Sequence, residues 1–150
     1  MIRYFSEDTS FNLKSKRLIS KWLKQVAAER GQQVGQLNYI FCSDPYLLDI
    51  NRQFLGHDYY TDIITFDNSD DYLLETGRQA VSADIYISVD TVRANGAIYG
   101  EGFEREMHRV IVHGLLHLVG YDDVTTWKQQ RMRAAENRAL KLLDSMRAEL

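Results

Sequence analysis

A single-domain α/β fold of the α+β-like kind, a four-stranded mixed sheet covered by about five helices, is predicted by three features of the sequence. The chain has 150 residues, of which 45% are hydrophobic, enough to bury one substantial core. Its apolar periodicity alternates between repeats of two and of 3.6 residues, in the order β-α-β-α-β-β-α-α-α. Between these elements nothing reads as a linker, an internal repeat or a low-complexity tract, so residues 1–150 are taken as one domain.

Taken in order, "IRYF" (2–5) is a short strand. A helix follows from Leu13 to about Glu29, with Ile19, Trp22, Leu23 and Val26 at core spacing, Asn12 as its N-cap and Gly31 as its stop. "LNYIFCS" (37–43) is the second strand. Asp44-Pro45 opens a helix through about Phe54, with the capping residue and first-turn proline in their usual order. "DIITF" (62–66) and "AVSADIYIS" (80–88) are two isoleucine-rich strands, with "DNSDD" and "ETGRQ" as polar loops between them. A helix then runs from Val89 to Ile98, ending near Gly100, and another from about Phe103 to Val119. The last begins near Thr126 and places Met132, Ala135, Ala139, Leu142, Leu143 and Met146 on one face.

Composition narrows the function classes. No run approaches the ~18 apolar residues of a membrane helix, and the start "MIRYFSEDTS" has no apolar segment of the signal-peptide kind. The single cysteine, Cys42, leaves no internal disulfide and reads as a small core residue, so a cytoplasmic location is expected. The net charge is −3, unevenly spread. Basic residues gather in the first and last helices, as with Arg17, Lys21 and Lys24, while the middle of the chain is acidic. A polyanion would therefore be met by the ends of the chain, although solvated helix faces explain the same pattern.

The chemistry concentrates in "HGLLHLVGYDD" (113–123). On a helix His113 and His117 lie nearly in line, one turn apart, and Glu106 and Val110 extend the same face. Two imidazoles on a mostly apolar helix need polar partners, and one shared metal supplies a partner to both. Gly120 can take positive φ, end the helix and reverse the chain, so that a side chain just past it swings back under the rings. Asp122 and Asp123 both satisfy that condition. The spacing matches the metzincin pattern H-E-x-x-H-x-x-G-x-x-H, whose third ligand falls on Asp123. The residue after the first histidine is Gly114, however, where a zinc peptidase carries its glutamate base.

With these residues in view, the sequence resembles the YbeY family, bacterial metal-dependent endoribonucleases linked to ribosomal RNA maturation. The family hallmark H-G-x-L-H-L-x-G-Y-D-H agrees with 113–123 at every position but the last. The stretch "NRQFLGHDYYTDIITF" (51–66) resembles N-x-x-(Y/F)-R-x-x-D-x-P-T-D-V-L-S-F, and "ADIYIS" (83–88) resembles G-D-I-x-I-S. Four departures stand out: Asp123 for the final histidine, Leu55 for an arginine, Tyr60 for a proline and Ala83 for a glycine. A carboxylate is an ordinary zinc ligand, but its charge lowers the Lewis acidity of the ion. Leu55 cannot hold a phosphate.

The resemblance implies a zinc-dependent single-strand endoribonuclease acting in ribosomal RNA processing, including maturation of the 16S 3′ end, with ribosomal partners. The expected metal ligands are His113, His117 and Asp123, binding one zinc ion per chain, and the hallmark puts an aspartate, not the ligand, at Asp122. Glu106 and Arg109 are further candidates beside the ligand face, with a helix-surface carboxylate the plainer reading of Glu106. His108 faces another side of the helix as a structural or exposed residue. Thr61 and Asp62 read as turn chemistry before substrate contact, and His57 as an exposed loop histidine. Two other classes remain open: a non-catalytic RNA- or ribosome-associated factor with a structural metal, and a zinc peptidase, which Gly114 disfavours.

Overall fold

The computed structural model describes residues 1–71, 77 and 80–150. Its elements are β1 (Ile2–Ser6), α1 (Lys16–Glu29), β2 (Val34–Cys42), α2 (Asp44–Ile50), β3 (Ile63–Asp67), β4 (Val81–Ser88), α3 (Val89–Tyr99), α4 (Phe103–Leu118) and α5 (Thr126–Ala148). A π-helical stretch, Asn51–Leu55, prolongs α2, and a 3-10 turn, Ser69–Asp71, follows β3. Apart from Gly77, the "ETGRQ" loop expected at 75–79 lies outside the described residues.

The strands form one sheet in the order β1-β2-β4-β3. β1 and β4 run parallel to β2, and β3 runs antiparallel to β4, so the sheet is mixed as the sequence predicts. Because successive residues of a strand face opposite ways, Leu37, Tyr39 and Phe41 of β2 and Ala83, Ile85 and Ile87 of β4 share one face. There they meet Trp22 and Leu23 of α1, Met107, Ile111 and Leu115 of α4, and Leu140 and Leu143 of α5 in the main core. Cys42, Leu47 and Ile64 form a smaller cluster under α2 on the other face.

Two polar pins lock this core. The buried indole of Trp22 donates to the Ala139 carbonyl at 2.7 Å, tying α1 to α5. The Tyr39 hydroxyl donates to the Ile111 carbonyl at 2.9 Å, tying the sheet to α4. Both groups would be costly if buried without partners. α4 is enclosed along most of its length, so every polar residue it carries must be paired or must open into a cavity.

Two helix starts differ from expectation. α1 begins at Lys16, not Leu13, because Leu13 is buried in the core from the irregular segment before the helix and Phe11 packs edge-on to Phe41 and Phe103. Asn12 therefore does not cap it, and its side chain accepts from the Lys16 ammonium instead. The cap of α2 is Ser43, whose hydroxyl accepts from the Tyr46 amide at 3.3 Å. Asp44 sits one residue inside, where its carboxylate accepts from the hydroxyls of Ser88 and Thr91 and ties α2 to the start of α3.

Candidate metal centre

The C-terminal half of α4 carries His113 and His117 with their ring centroids 4.6 Å apart. At its end Val119 closes the helix and Gly120 takes φ +112°, a conformation that side chains disfavour. The chain reverses there, and Asp123 comes back beneath the rings. Its Oδ2 lies 3.7 Å from His113 Nε2 and 3.6 Å from His117 Nε2, and the two Nε2 atoms are 3.0 Å apart. Among the described residues these three form the group that could hold a metal ion. Asp122 faces elsewhere, accepting from the Val124 amide and the Lys128 ammonium.

The geometry fits a metal. Donors bound to a tetrahedral zinc at its usual bond lengths stand about 3.3 Å apart, close to the observed triangle. The opposite ring atoms say the same. His113 Nδ1 is 2.7 Å from a Glu136 carboxylate oxygen, and His117 Nδ1 is 3.1 Å from the Tyr121 carbonyl. Both partners can only accept, so both Nδ1 atoms carry the proton. In neutral rings the Nε2 lone pairs then face each other and a carboxylate, an arrangement that calls for a cation between them. The side chains are one-fifth to one-half exposed (His113 21%, His117 33%, Asp123 45%), so the far side of the triangle opens to solvent.

The environment tunes the two rings in opposite directions. Burial lowers the pKa of His113, but the hydrogen bond and charge of Glu136, with Asp62 and Asp123, outweigh it and leave the pKa raised. At His117 burial and the charge of His113 bring it down. Burial raises the pKa of Glu136, but the hydrogen bond and charge of His113 and the Arg109 guanidinium overcome this and hold it below the usual carboxylate range.

Arg109 is 7% exposed and reaches Glu136 at 3.2 Å, Asn137 at 2.9 Å and Glu101 at 3.0 Å. Its guanidinium, a candidate beside the ligand face in the sequence, is taken up by carboxylates and an amide. Glu106 is 5% exposed, contrary to its reading as a helix-surface carboxylate. It lines a cavity of about 160 Å³ together with Asp62, Arg109, His113, Arg133 and Glu136. Burial raises the pKa of both Glu106 and Asp62. His108 is buried against Trp22 and away from the rings. His57 remains on an exposed loop, stacked on Tyr59, and Thr61 stays in the turn before β3.

Glu136 escaped the sequence reading. The available signal was its position: it lies four residues after Met132 and next to Ala135, inside the buried stripe of α5, where an unpaired carboxylate is rare. Gly114 is explained by packing. A Cβ there would stand 3.1 Å from the Ile63 side chain and 3.3 Å from that of Ile85, so this position faces the sheet and offers no room for the glutamate base of a peptidase.

Comparison with known proteins agrees with this architecture. The family model for Endoribonuclease YbeY matches residues 2–144. The chain is 47% identical over 141 residues to the Endoribonuclease YbeY of Cytophaga hutchinsonii, covering 94% of each chain. It is 46% identical over 143 residues to that of Phocaeicola vulgatus, covering 95% of this chain and 99% of the relative. A Thermotoga maritima protein solved in solution superposes with a TM-score of 0.65 at 27% identity, over 99% of this chain and 93% of the other. A match of this extent, across the helix that carries both histidines and the turn that returns Asp123, places the chain in the YbeY endoribonuclease family.

Proposed function

We propose that the protein is a zinc-dependent endoribonuclease that cleaves single-stranded RNA in ribosomal RNA processing, 16S 3′-end maturation included, and that it works with the ribosome or its proteins as partners. The observation that carries the reading is the convergence of two Nε2 atoms and one carboxylate oxygen, with both Nδ1 atoms already engaged on their far sides. His113, His117 and Asp123 would hold the ion. A zinc ion bound there supplies a water of lowered pKa and a Lewis acid for a phosphate oxygen.

The remaining work falls to the chain itself. Glu136 keeps the Nδ1 proton of His113 in place, which fixes the tautomer and aims Nε2 at the metal position. The Tyr121 carbonyl does the same for His117. Arg109 holds Glu136 ionised and in position. Asp62, on the turn that enters β3, brings a second carboxylate to the cavity beside His113.

The reading is tested by incubating purified protein with a single-stranded RNA, with chelator and after zinc is restored. Cleavage that stops with chelator, returns with zinc and is lost in His117→Ala supports it. A zinc-loaded protein that binds RNA without cutting it would make the chain a non-catalytic RNA factor, a reading that Leu55 and the engaged Arg109 favour.

A further inference from the structure

We infer that Arg30, Arg131 and Arg138, gathered around the ring of Tyr121, form a binding site for the phosphates of the RNA strand. The inference rests on the nuclease reading above. Arg30, just past the end of α1, places its guanidinium 4.6 Å from the Tyr121 ring centroid, and Arg131 of α5 approaches the same ring at 6.0 Å. Arg138, two turns further along α5, donates to the Tyr121 hydroxyl at 3.3 Å. Arg131 also lies 5.0 Å from the exposed ring of Trp127. Three cations thus converge on one side chain, and among the described residues no carboxylate stands within ion-pair distance of any of them.

Position gives the cluster its meaning. Tyr121 follows the helix-ending Gly120 and precedes Asp123 by two residues, and its carbonyl holds His117. Arg30 reaches so near the turn that a Cβ on Gly120 would stand 3.3 Å from its Nη2. Arg30, Gly120, Tyr121, Asp122, Lys128 and Arg131 line an open cavity of about 280 Å³ at this turn, where Lys128 pairs with Asp122 at 3.1 Å. With the charge of Asp122 taken up by Lys128, the three guanidiniums are left without an ion-paired carboxylate among the described residues. Like charges so gathered repel one another, and a polyanion crossing them relieves the repulsion. Guanidiniums match phosphate oxygens with paired N–H donors, and Trp127 offers a face on which a base can stack. The family pattern has its arginine where this chain has Leu55. The cations at Tyr121, whose carbonyl holds His117, supply positive charge that Leu55 cannot.

The test measures binding of a labelled 2′-O-methyl oligouridylate of roughly ten nucleotides, a length within the range of single-strand sites, to zinc-loaded protein at several salt concentrations. Methylation of the 2′ oxygens keeps the phosphates and resists cleavage. Arg30→Gln/Arg131→Gln should bind about tenfold more weakly, with the log–log salt slope shallower by about 1.4, the value for two phosphate contacts on a single strand. Arg30→Lys/Arg131→Lys should recover most of the loss. Lys21→Gln/Lys24→Gln removes the same charge from the groove between α1 and β1, at the opposite edge of the sheet from β3, and should lose much less.

Equal losses in the arginine and lysine pairs would show net charge alone and overturn the proposal. So would displacement of the oligonucleotide by polyglutamate as readily as by unlabelled RNA, which would mark an acidic-protein site. Wild-type protein that takes up zinc but binds no oligonucleotide would defeat the nuclease reading itself, whereas binding that survives unchanged in the glutamine pair defeats only the site. Zinc content and melting temperature of each variant separate misfolding from lost contacts.

Discussion

Asp122 and Asp123 are neighbours of the same type, and only geometry divides their work. Asp123 completes a triangle with His113 and His117, whereas Asp122 caps a local turn and pairs with Lys128. Asp123→Asn should weaken zinc binding by at least the ~10–100-fold typical of losing a supporting contact, and Asp122→Asn by no more than that. Zinc titrations of the two variants decide between them, and the reverse order would reassign the ligand. Glu136→Gln keeps the shape but removes the charge that orients His113, so it should also cost about 10–100-fold in zinc affinity. Glu136→Ala leaves Arg109 facing fewer carboxylates in a buried setting and should destabilise the fold by roughly 3–5 kcal/mol, measurable by urea denaturation of metal-free protein. A Glu136→Ala variant with unchanged stability and zinc affinity would show that the network around Arg109 is idle.

α4 joins the core to the site, and its residues divide by face. Met107, Ile111 and Leu115 were legible in the sequence because their spacing matches a buried stripe, as was the placing of His113 and His117 one turn apart. What the sequence could not show was which polar residues of α4 are enclosed, since that depends on α5 and on β3 lying against it. Glu106 read as a surface carboxylate for that reason, and Glu136 went unnoticed because its partner is distant in sequence. His108 gives the element a pH dependence. Burial, as the main cause, lowers its pKa from 6.5 to about 4. The unfolded chain therefore binds a proton between these values that the folded chain refuses. This contribution to stability is fully present above pH 6.5 and is lost as pH falls toward 4, by about 3 kcal/mol at most. His108→Leu should flatten the stability profile of metal-free protein over that window. An unchanged profile would place the acid sensitivity elsewhere. Gly114→Glu should cost more than about 4 kcal/mol, because it drives a carboxylate against Ile63 and Ile85. Failure of that variant to fold at ordinary temperature would check it.

At the scale of the whole molecule, the four-stranded sheet and its mixed sense followed from the order of elements, while the strand order within it and the exact starts of α1 and α2 did not. Leu13 preferred the core to a helix, and Ser43 out-competed Asp44 as a cap because the latter was drawn to Ser88 and Thr91. No helix of the described residues is long and apolar enough to cross a membrane. The fold holds the two histidines on an enclosed helix and returns Asp123 on a turn, so the metal position should be built only in the folded state. Metal that binds the folded chain alone stabilises it by about 2.7 kcal/mol at a free concentration 100 times the dissociation constant, a rise of roughly 5–10 °C in Tm for a chain of this size. The measurement that tests the central claim most directly is a zinc titration of chelator-treated protein, followed by calorimetry for stoichiometry and by melting for stability. The account predicts one zinc ion per chain, a Tm that climbs with the logarithm of zinc concentration, and loss of both in His113→Ala and His117→Ala. Wild-type protein that takes up no zinc and melts at the same temperature with and without it would contradict the account.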